Sequence, residues 1–220
     1  IEDHFVPVAI FNNVDGKDRE VLESFGEPTW NNPTVRIITP GRKPLAPRLY
    51  GRYDIEATVS TIRKALRAAG EDVPGYIDVL HREHAAKGHR DRAYFGMYCF
   101  WSGEVALGKL DGVVRTRTGF MDGGEVVEVT WDTRESSLKE LAGAARRSEA
   151  ATHIWVDRDQ LDDARAVFGG SARPIDDTFQ YSDSDDDYQI ARSRWNDVTM
   201  TELQSTLVNS ALGLGESPAI

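Results

Sequence analysis

Apolar residues recur every three or four positions in several segments of the chain, and this spacing predicts helices. The longest of these covers residues 54–69, where Asp54 is placed to cap the N-terminus and Gly70 to end the helix. A second helix starts at Ser136 or Ser137 and ends near residue 147. Shorter helices are predicted over residues 18–25, 76–87, 100–110, 159–168 and 199–212.

Short apolar runs bounded by turn residues predict strands. These runs cover residues 4–12, 34–38, 45–51, 94–98 and 152–158. A further strand runs through residues 125–131, in which side chains alternate between two faces. We expect Glu125 to face the interior of the protein and Glu128, on the opposite face, to be exposed to solvent. The mixture of helices and strands predicts an α+β protein.

Residues 5–70 resemble the second half of a thioredoxin fold, because they follow its order of strand, helix, proline, strand, turn, strand and helix. The resemblance implies a cis Asn32–Pro33 bond, whereas Pro33 can equally be the start of an edge strand. No Cys-x-x-Cys sequence is present in this segment. The segment therefore has no redox chemistry of its own.

Cys99, the only cysteine of the chain, lies between a predicted strand and the start of a predicted helix. Free backbone N–H groups and the positive end of the helix dipole stabilise a thiolate at such a position. A lone cysteine is also a common small apolar residue of protein cores. The sequence around Cys99 decides between these two interpretations.

The stretch from residue 93 to 132 resembles the peptide-methionine sulfoxide reductase A family. Cys99, Phe100 and Trp101 match the Cys-Phe-Trp of its nucleophile segment, and the Gly-Gly-Glu-Val-Val that ends at residue 127 matches its acid segment. The resemblance implies that Cys99 is the nucleophile, that Phe100 and Trp101 receive the methyl group of the substrate, and that Glu125 protonates the sulfoxide oxygen.

Three departures from the family pattern lie inside this stretch. Tyr98 replaces a glycine, Gly123 and Gly124 replace a histidine and an alanine, and the loop before them is almost absent. Residues 146–153 replace the family segment that holds an aspartate and a second tyrosine. Tyr181 and Tyr188 are similar to a late aromatic run of the family, which implies that one of them closes over the site.

The resemblance implies a ferredoxin-like α/β sandwich for the second part of the chain. The predicted domains are a partial thioredoxin-like module at 1–70, a helical linker at 71–91, the methionine sulfoxide reductase A-like domain at 92–213 and a tail at 214–220.

We therefore expect thiol-dependent reduction of methionine sulfoxide, free or in oxidised proteins, through a cysteine sulfenic acid. No cofactor is expected, and an external thiol such as thioredoxin or glutathione, or a redox module of the same chain, supplies the electrons. The alternative is a catalytically degenerate reductase fold that serves as a binding or redox-accessory module. The missing loop and tyrosine favour this second hypothesis.

A formal net charge of −10 argues against a nucleic-acid-binding face and against a polybasic membrane-binding segment. One cysteine allows no internal disulfide, which fits a reducing compartment and is also compatible with export. The chain begins without methionine, which suggests that it starts within a longer protein. We expect a soluble protein and favour the cytoplasm.

The segment from Asp176 to Tyr188 is rich in aspartate. It has the ligand type of a calcium loop but lacks the glycine and closing glutamate of an EF-hand. We interpret it as a solvated acidic loop and predict no metal site.

Overall fold

The computed structural model describes residues 3–30, 33–148 and 150–218. The chain divides into two compact units, 1–73 and 74–220. In the described part of the chain, no helix is both long enough and apolar enough to cross a bilayer. The chemistry-bearing residues singled out from the sequence all lie in the second unit.

The first unit contains two helices and a short hairpin: α1 (Lys17–Ser24), β1 (Thr34–Val35), β2 (Leu49–Tyr50) and α2 (Ile55–Ala69). β1 and β2 pair antiparallel. The caps predicted for α2 are confirmed, since the Asp54 carboxylate accepts a hydrogen bond from the backbone N–H of Ala57. Gly70 ends the helix in the left-handed region with φ 79°.

The strand predicted at residues 4–12 is wrong. This segment has no regular secondary structure in its described part, and Val6 and Val8 are 88% and 74% exposed. β1 and β2 form a two-stranded sheet of their own, so the segment has no described strand beside it. The thioredoxin-like interpretation therefore receives no support here. The Asn32–Pro33 bond lies outside the described residues.

The second unit is built on a six-stranded mixed sheet with the order β7-β6-β3-β5-β4-β8. All neighbouring strands are antiparallel except β6 and β7, which are parallel. This architecture confirms the α+β prediction. In chain order the elements are α3 (Gly75–Ala85), β3 (Arg90–Met97), α4 (Phe100–Gly108), β4 (Val113–Met121), β5 (Gly124–Asp132), α5 (Leu138–Arg147), β6 (Ala151–Val156), α6 (Leu161–Phe168), β7 (Ala172–Pro174), β8 (Gln180–Tyr181), α7 (Tyr188–Ala191) and α8 (Glu202–Gly213).

Helix α5 has a complete capping box, as the predicted N-cap Ser137 suggests. The Ser137 hydroxyl accepts a hydrogen bond from the backbone N–H of Glu140, and the Glu140 carboxylate accepts one from the backbone N–H of Ser137. Thr201 and Gln204 form the same motif at the start of α8. Helix α5 thus begins where the sequence predicts, whereas α8 begins at Glu202, three residues after its predicted start.

The main core lies between one face of the sheet and helices α4, α5 and α6. Phe95, Val127, Val129 and Trp131 supply the centre of this face and are at most 1% exposed. The other face carries a smaller cluster of Tyr94, Met121, Val126 and Trp155, against which Ile175 and Phe179 pack. Both faces of the central strands are therefore covered.

Glu128 was predicted to be exposed to solvent, and this prediction is wrong because both faces of the central strands are covered. Glu128 is 5% exposed, and its carboxylate is 2.9 Å from a guanidinium nitrogen of Arg115. Arg115 also binds Glu202 at 2.8 Å, and Glu202 binds Arg90 at 2.9 Å. The strand alternation is as predicted, but the second face does not meet solvent at Glu128.

Candidate functional site

Cys99 lies at the junction of β3 and α4, as the sequence predicts. It is the N-cap of the nine-residue helix, with an extended backbone of φ −146° and ψ 112°. Its carbonyl accepts hydrogen bonds from the backbone N–H of Gly103 and from the Ser102 hydroxyl, both at 3.0 Å. Its side chain is half-buried and forms no disulfide. The residue therefore adjoins the positive end of the helix dipole.

Glu125 reaches the same helix end from strand β5. Its Oε2 accepts a hydrogen bond of 2.8 Å from the backbone N–H of Phe100, the residue that follows Cys99. Glu125 lies on the same strand face as Val127, which is part of the main core. The Glu125 carboxylate therefore binds the backbone at the N-terminus of α4, at the residue directly after Cys99.

Aromatic rings form the wall of the corner, that is, of the region around Cys99 and Glu125 at the N-terminus of α4. Phe100 is 4% exposed and packs against Trp101 with a ring-centroid distance of 5.9 Å. The ring of Phe120 packs edge-on against the ring of Phe100, with a centroid distance of 5.4 Å. Phe120 was not predicted from the sequence, although its pairing with Glu125 across the β4–β5 hairpin follows from the hairpin register.

Trp101 is fixed by a segment more than 80 residues away in sequence. The ring of Tyr188 stacks on the indole at 4.0 Å with an interplanar angle of 21°. The guanidinium of Arg192 lies 3.6 Å from the centroid of the Tyr188 ring. The indole Nε1–H donates to Asp185 at 3.3 Å. One face and the polar edge of Trp101 are thus already occupied by protein groups.

Tyr181 lies on β8, beside Gly119 of β4. A Cβ atom at position 119 would lie 2.6 Å from the ring of Phe179. Glycine is therefore needed at this position for β8 to pair with β4. The Tyr181 hydroxyl donates to Asp186 at 2.9 Å. Burial, and then the carboxylate of Asp186, raises the pKa of Tyr181. The hydroxyl also donates to Asp183 at 3.4 Å, and none of the described contacts joins Tyr181 directly to Cys99 or Glu125.

The acidic loop, residues 182–187, is not the fully solvated segment that the sequence suggested. Asp186 accepts a hydrogen bond from the backbone N–H of Thr118 at 2.8 Å. Burial raises the pKa of Asp186, and it raises that of Asp187 to about 6 together with the neighbouring Asp186 charge. Asp187 also has a positive φ of 50°. The end of this loop is therefore part of the protein interior.

Glu104 is a further carboxyl that the sequence reading did not place at the site. It is 1% exposed, and burial followed by the charges of Asp186 and Asp187 raises its pKa to about 9. A signal was present, since Glu104 is the one charged residue in the otherwise apolar and small-residue helix α4. A single acid in such a helix indicates a buried carboxyl with a specific partner.

Within the described residues, no group of three or more histidine, cysteine, aspartate or glutamate side chains has the arrangement of a metal site. The corner thus offers a thiol, a nearby carboxyl and an aromatic wall. Such groups suit a reaction in which a nucleophilic sulfur attacks a small polar group flanked by apolar substituents.

No protein-family model matches the chain. A peptide methionine sulfoxide reductase MsrA of Methanothermobacter thermautotrophicus is 42% identical to it over 59 aligned residues. The match covers 19% of this chain and 35% of that protein. The chain therefore matches about a third of the length of this relative, and the similarity is local.

Proposed function

We propose that the protein reduces methionine sulfoxide, with Cys99 as the nucleophile. The hydrogen bond of 2.8 Å between the Phe100 backbone N–H and Glu125 carries the proposal, because it holds the Glu125 carboxyl at the residue that follows Cys99. The local similarity to a methionine sulfoxide reductase supports the same chemistry. Neither feature alone would distinguish a nucleophile from a structural cysteine.

In the proposed first step, the Cys99 thiolate attacks the sulfoxide sulfur while Glu125 protonates the sulfoxide oxygen. The sulfur–oxygen bond of the substrate breaks, and the oxygen passes to Cys99 as a sulfenic acid. The substrate sulfur is reduced by two electrons and the cysteine sulfur is oxidised by two. Glu125 has the position of a general acid, which must reach the oxygen directly or through one water.

The aromatic wall provides a binding surface for the apolar end of the substrate. A methyl group on the sulfur fits against the rings of Phe100 and Trp101, which lie beside the thiol in sequence and in space. Tyr188 and Tyr181 are proposed to border the substrate from the other side. Since Tyr188 stacks on Trp101, the substrate has to use the free face of the indole or displace Tyr188.

The second step restores the thiol. Cys99 is the only cysteine among the 220 residues, so the sulfenic acid needs two electrons from a thiol outside them, either of a separate molecule or of a redox module in the same protein. Two thiols become a disulfide, and the sulfenic oxygen leaves as water. We propose a thioredoxin-like protein or glutathione as this reductant, with no bound cofactor.

The fold of the second unit supports this assignment. β3, α4, β4, β5, α5 and β6 follow one another along the chain, and their strands lie in the order β6-β3-β5-β4. We propose that residues 92–213 form a ferredoxin-like sandwich, because such a fold has this order of elements along the chain and of strands in the sheet. The order places Cys99, at the end of the central strand β3, beside the start of β5.

The test is formation of methionine from a methionine sulfoxide peptide, with dithiothreitol as the reductant, by the wild type and by Cys99→Ser. Oxygen is close to sulfur in volume, so the variant keeps its fold, which near-ultraviolet circular dichroism verifies. We expect methionine formation by the wild type and none above background by the variant. Equal activity of the two proteins would rule out Cys99 as the nucleophile.

A second candidate function is favoured by the stacking of Tyr188 on Trp101, which occupies part of the proposed substrate surface. Under this hypothesis the unit is a catalytically degenerate reductase fold that binds a partner, and Cys99 is inert. Iodoacetamide distinguishes the two hypotheses. Rapid alkylation of Cys99 in the native protein at neutral pH is expected for the enzyme, and very slow alkylation for the binding module.

A further inference from the structure

Glu104 is a fully buried carboxyl for which the proposed reaction has no use. It lies on α4, five residues after Cys99, and is 1% exposed. Its Oε1 accepts a hydrogen bond from the Thr116 hydroxyl at 3.4 Å, and its Oε2 accepts one from the Asn209 side chain at 2.8 Å. None of the ion pairs of the described residues includes Glu104. A buried carboxylate without a cation is strongly disfavoured, so the neutral acid is the stable form.

Two further carboxyls face Glu104 from the acidic loop. Glu104 accepts from the Thr116 hydroxyl and Asp186 accepts from the backbone N–H of Thr118, two positions further along β4, and the charges of Asp186 and Asp187 raise the pKa of Glu104. From β4, the cation of Arg117 acts on Asp186 and lies over the Tyr181 ring. Neighbouring carboxyls in the protein interior disfavour ionisation of one another, so one of them keeps its proton more readily than an exposed acid does. Glu104, which is buried and has no cation beside it among the described ion pairs, is the group that we expect to hold this proton.

The position of this loop determines what covers Trp101. Asp185, directly before Asp186, accepts the indole N–H, and Tyr188, directly after Asp187, stacks on the indole. Asp186 itself is held by the backbone N–H of Thr118 and by the Tyr181 hydroxyl. A shift of Asp186 away from α4 would therefore move both groups that contact Trp101.

We propose that Glu104 is a positioning residue whose proton latches the acidic loop to α4 and thereby keeps Tyr188 stacked on Trp101. When Glu104 loses this proton, it adds a third negative charge beside Asp186 and Asp187, which Arg117, acting on Asp186, does not offset, and the repulsion releases the loop. Tyr188 then leaves the indole, and the surface beside Cys99 opens. The latch is a property of the fold and does not depend on the reaction at Cys99.

The experiment is fluorine NMR on the full chain labelled with 5-fluorotryptophan. Trp101→Phe assigns the Trp101 signal, and Tyr188→Leu gives the signal of an indole without its stacked ring. The wild type is titrated between about pH 6 and about pH 10, a range that spans the proposed loss of the proton. We expect the Trp101 signal to move toward its Tyr188→Leu position with a midpoint near pH 9, the raised pKa of Glu104.

Glu104→Gln is the decisive variant, because its amide N–H₂ can donate to Asp186 while its oxygen still accepts from Asn209. Its Trp101 signal is expected to stay at the stacked position over the same pH range. Asp111→Asn removes an exposed carboxyl just beyond α4 and is expected to titrate like the wild type. The same transition in Glu104→Gln and in the wild type, or no transition in the wild type, would overturn the proposal.

Infrared spectroscopy of the wild type keeps the proposal testable if Glu104→Gln fails to fold. A protonated carboxylic acid has a C=O stretch separate from that of carboxylates. We expect this band at neutral pH and its loss together with the fluorine transition. Absence of the band at neutral pH would show that the latch has no proton, and the inference would be wrong.

Discussion

The backbone N–H of Phe100 donates a hydrogen bond of 2.8 Å to Oε2 of Glu125. These residues are 25 positions apart, on the first turn of α4 and at the start of β5. Helix N-termini carry unpaired N–H groups, and a carboxylate satisfies one of them. The bond fixes the acid next to Cys99, and it gives the proposed reaction its geometry.

The first prediction concerns Glu125→Gln. Glutamine keeps an oxygen that can accept from the Phe100 N–H, but its amide cannot protonate a sulfoxide. Removal of a general acid typically lowers turnover by about 10²–10⁴-fold. We expect such a loss in kcat for methionine sulfoxide reduction, with alkylation of Cys99 by iodoacetamide changed much less. Glu135→Gln, at an exposed position, is the control and should retain wild-type turnover. A Glu125→Gln enzyme with full kcat would remove Glu125 as the proton donor.

The second prediction concerns Trp101→Ala. The indole is proposed to hold the thioether and methyl of the substrate, and loss of a buried aromatic contact typically costs about 2–4 kcal/mol of binding. We expect weaker selection of a methionine sulfoxide peptide over dimethyl sulfoxide, while Cys99 still reacts with iodoacetamide. If alkylation and turnover fall by the same factor, the ring positions the cysteine and does not bind the methyl group.

The third prediction is a pH dependence of stability that arises from Glu104. Its pKa is about 9 in the folded protein, against an ordinary value of 4.5. Between these two pH values the unfolded chain has lost the proton and the native protein keeps it. The free energy of unfolding therefore decreases as the pH rises, by up to about 1.4 kcal/mol per pH unit. The contribution of Glu104 to stability is fully present below its pKa in the unfolded chain. It is lost as the pH rises toward and through its pKa in the folded protein.

Glu104→Gln lacks this titration, so its stability relative to the wild type should increase with pH up to about pH 9. Urea unfolding of both proteins at several pH values in this range measures the difference. Asp111→Asn serves as the exposed control and should follow the wild type. Parallel stability curves for Glu104→Gln and the wild type would show that Glu104 is ionised in the native protein.

The fourth prediction concerns the buried ion pair of Glu128 and Arg115. Glu128→Gln removes the charge that faces the guanidinium and leaves Glu202 as the other carboxylate near it. We expect a loss of about 1–3 kcal/mol in the free energy of unfolding, as for a weakened hydrogen bond of a buried charged group. Asp163→Asn, on the exposed side of α6, should change the stability little. Equal urea midpoints for Glu128→Gln and the wild type would mean that Glu202 fully replaces Glu128.

Local signals in the sequence determined the helices and the place of the cysteine. The caps of α2, α5 and α8 depend on side chains within four residues of the helix end, so the printed sequence contains all that is needed. The same is true of Cys99, since a strand followed directly by an apolar helix places it at a helix N-terminus. The Cys-Phe-Trp segment and the later Glu125 also allowed the chemistry to be proposed from residues alone.

The tertiary structure alone decided what meets across long sequence distances. Strand alternation separates Glu125 from Glu128 onto opposite faces, yet it contains no information on whether the second face is covered, and Arg115 covers it. The apolar run at residues 4–12 has a strand-like composition, but a strand forms only where another strand offers its hydrogen bonds. Likewise, the burial that raises the pKa of Asp186 and of Glu104 depends on a loop that packs against a helix about 80 residues earlier in the chain. Pairing, coverage and burial are properties of the whole packed chain, and the local sequence cannot specify them.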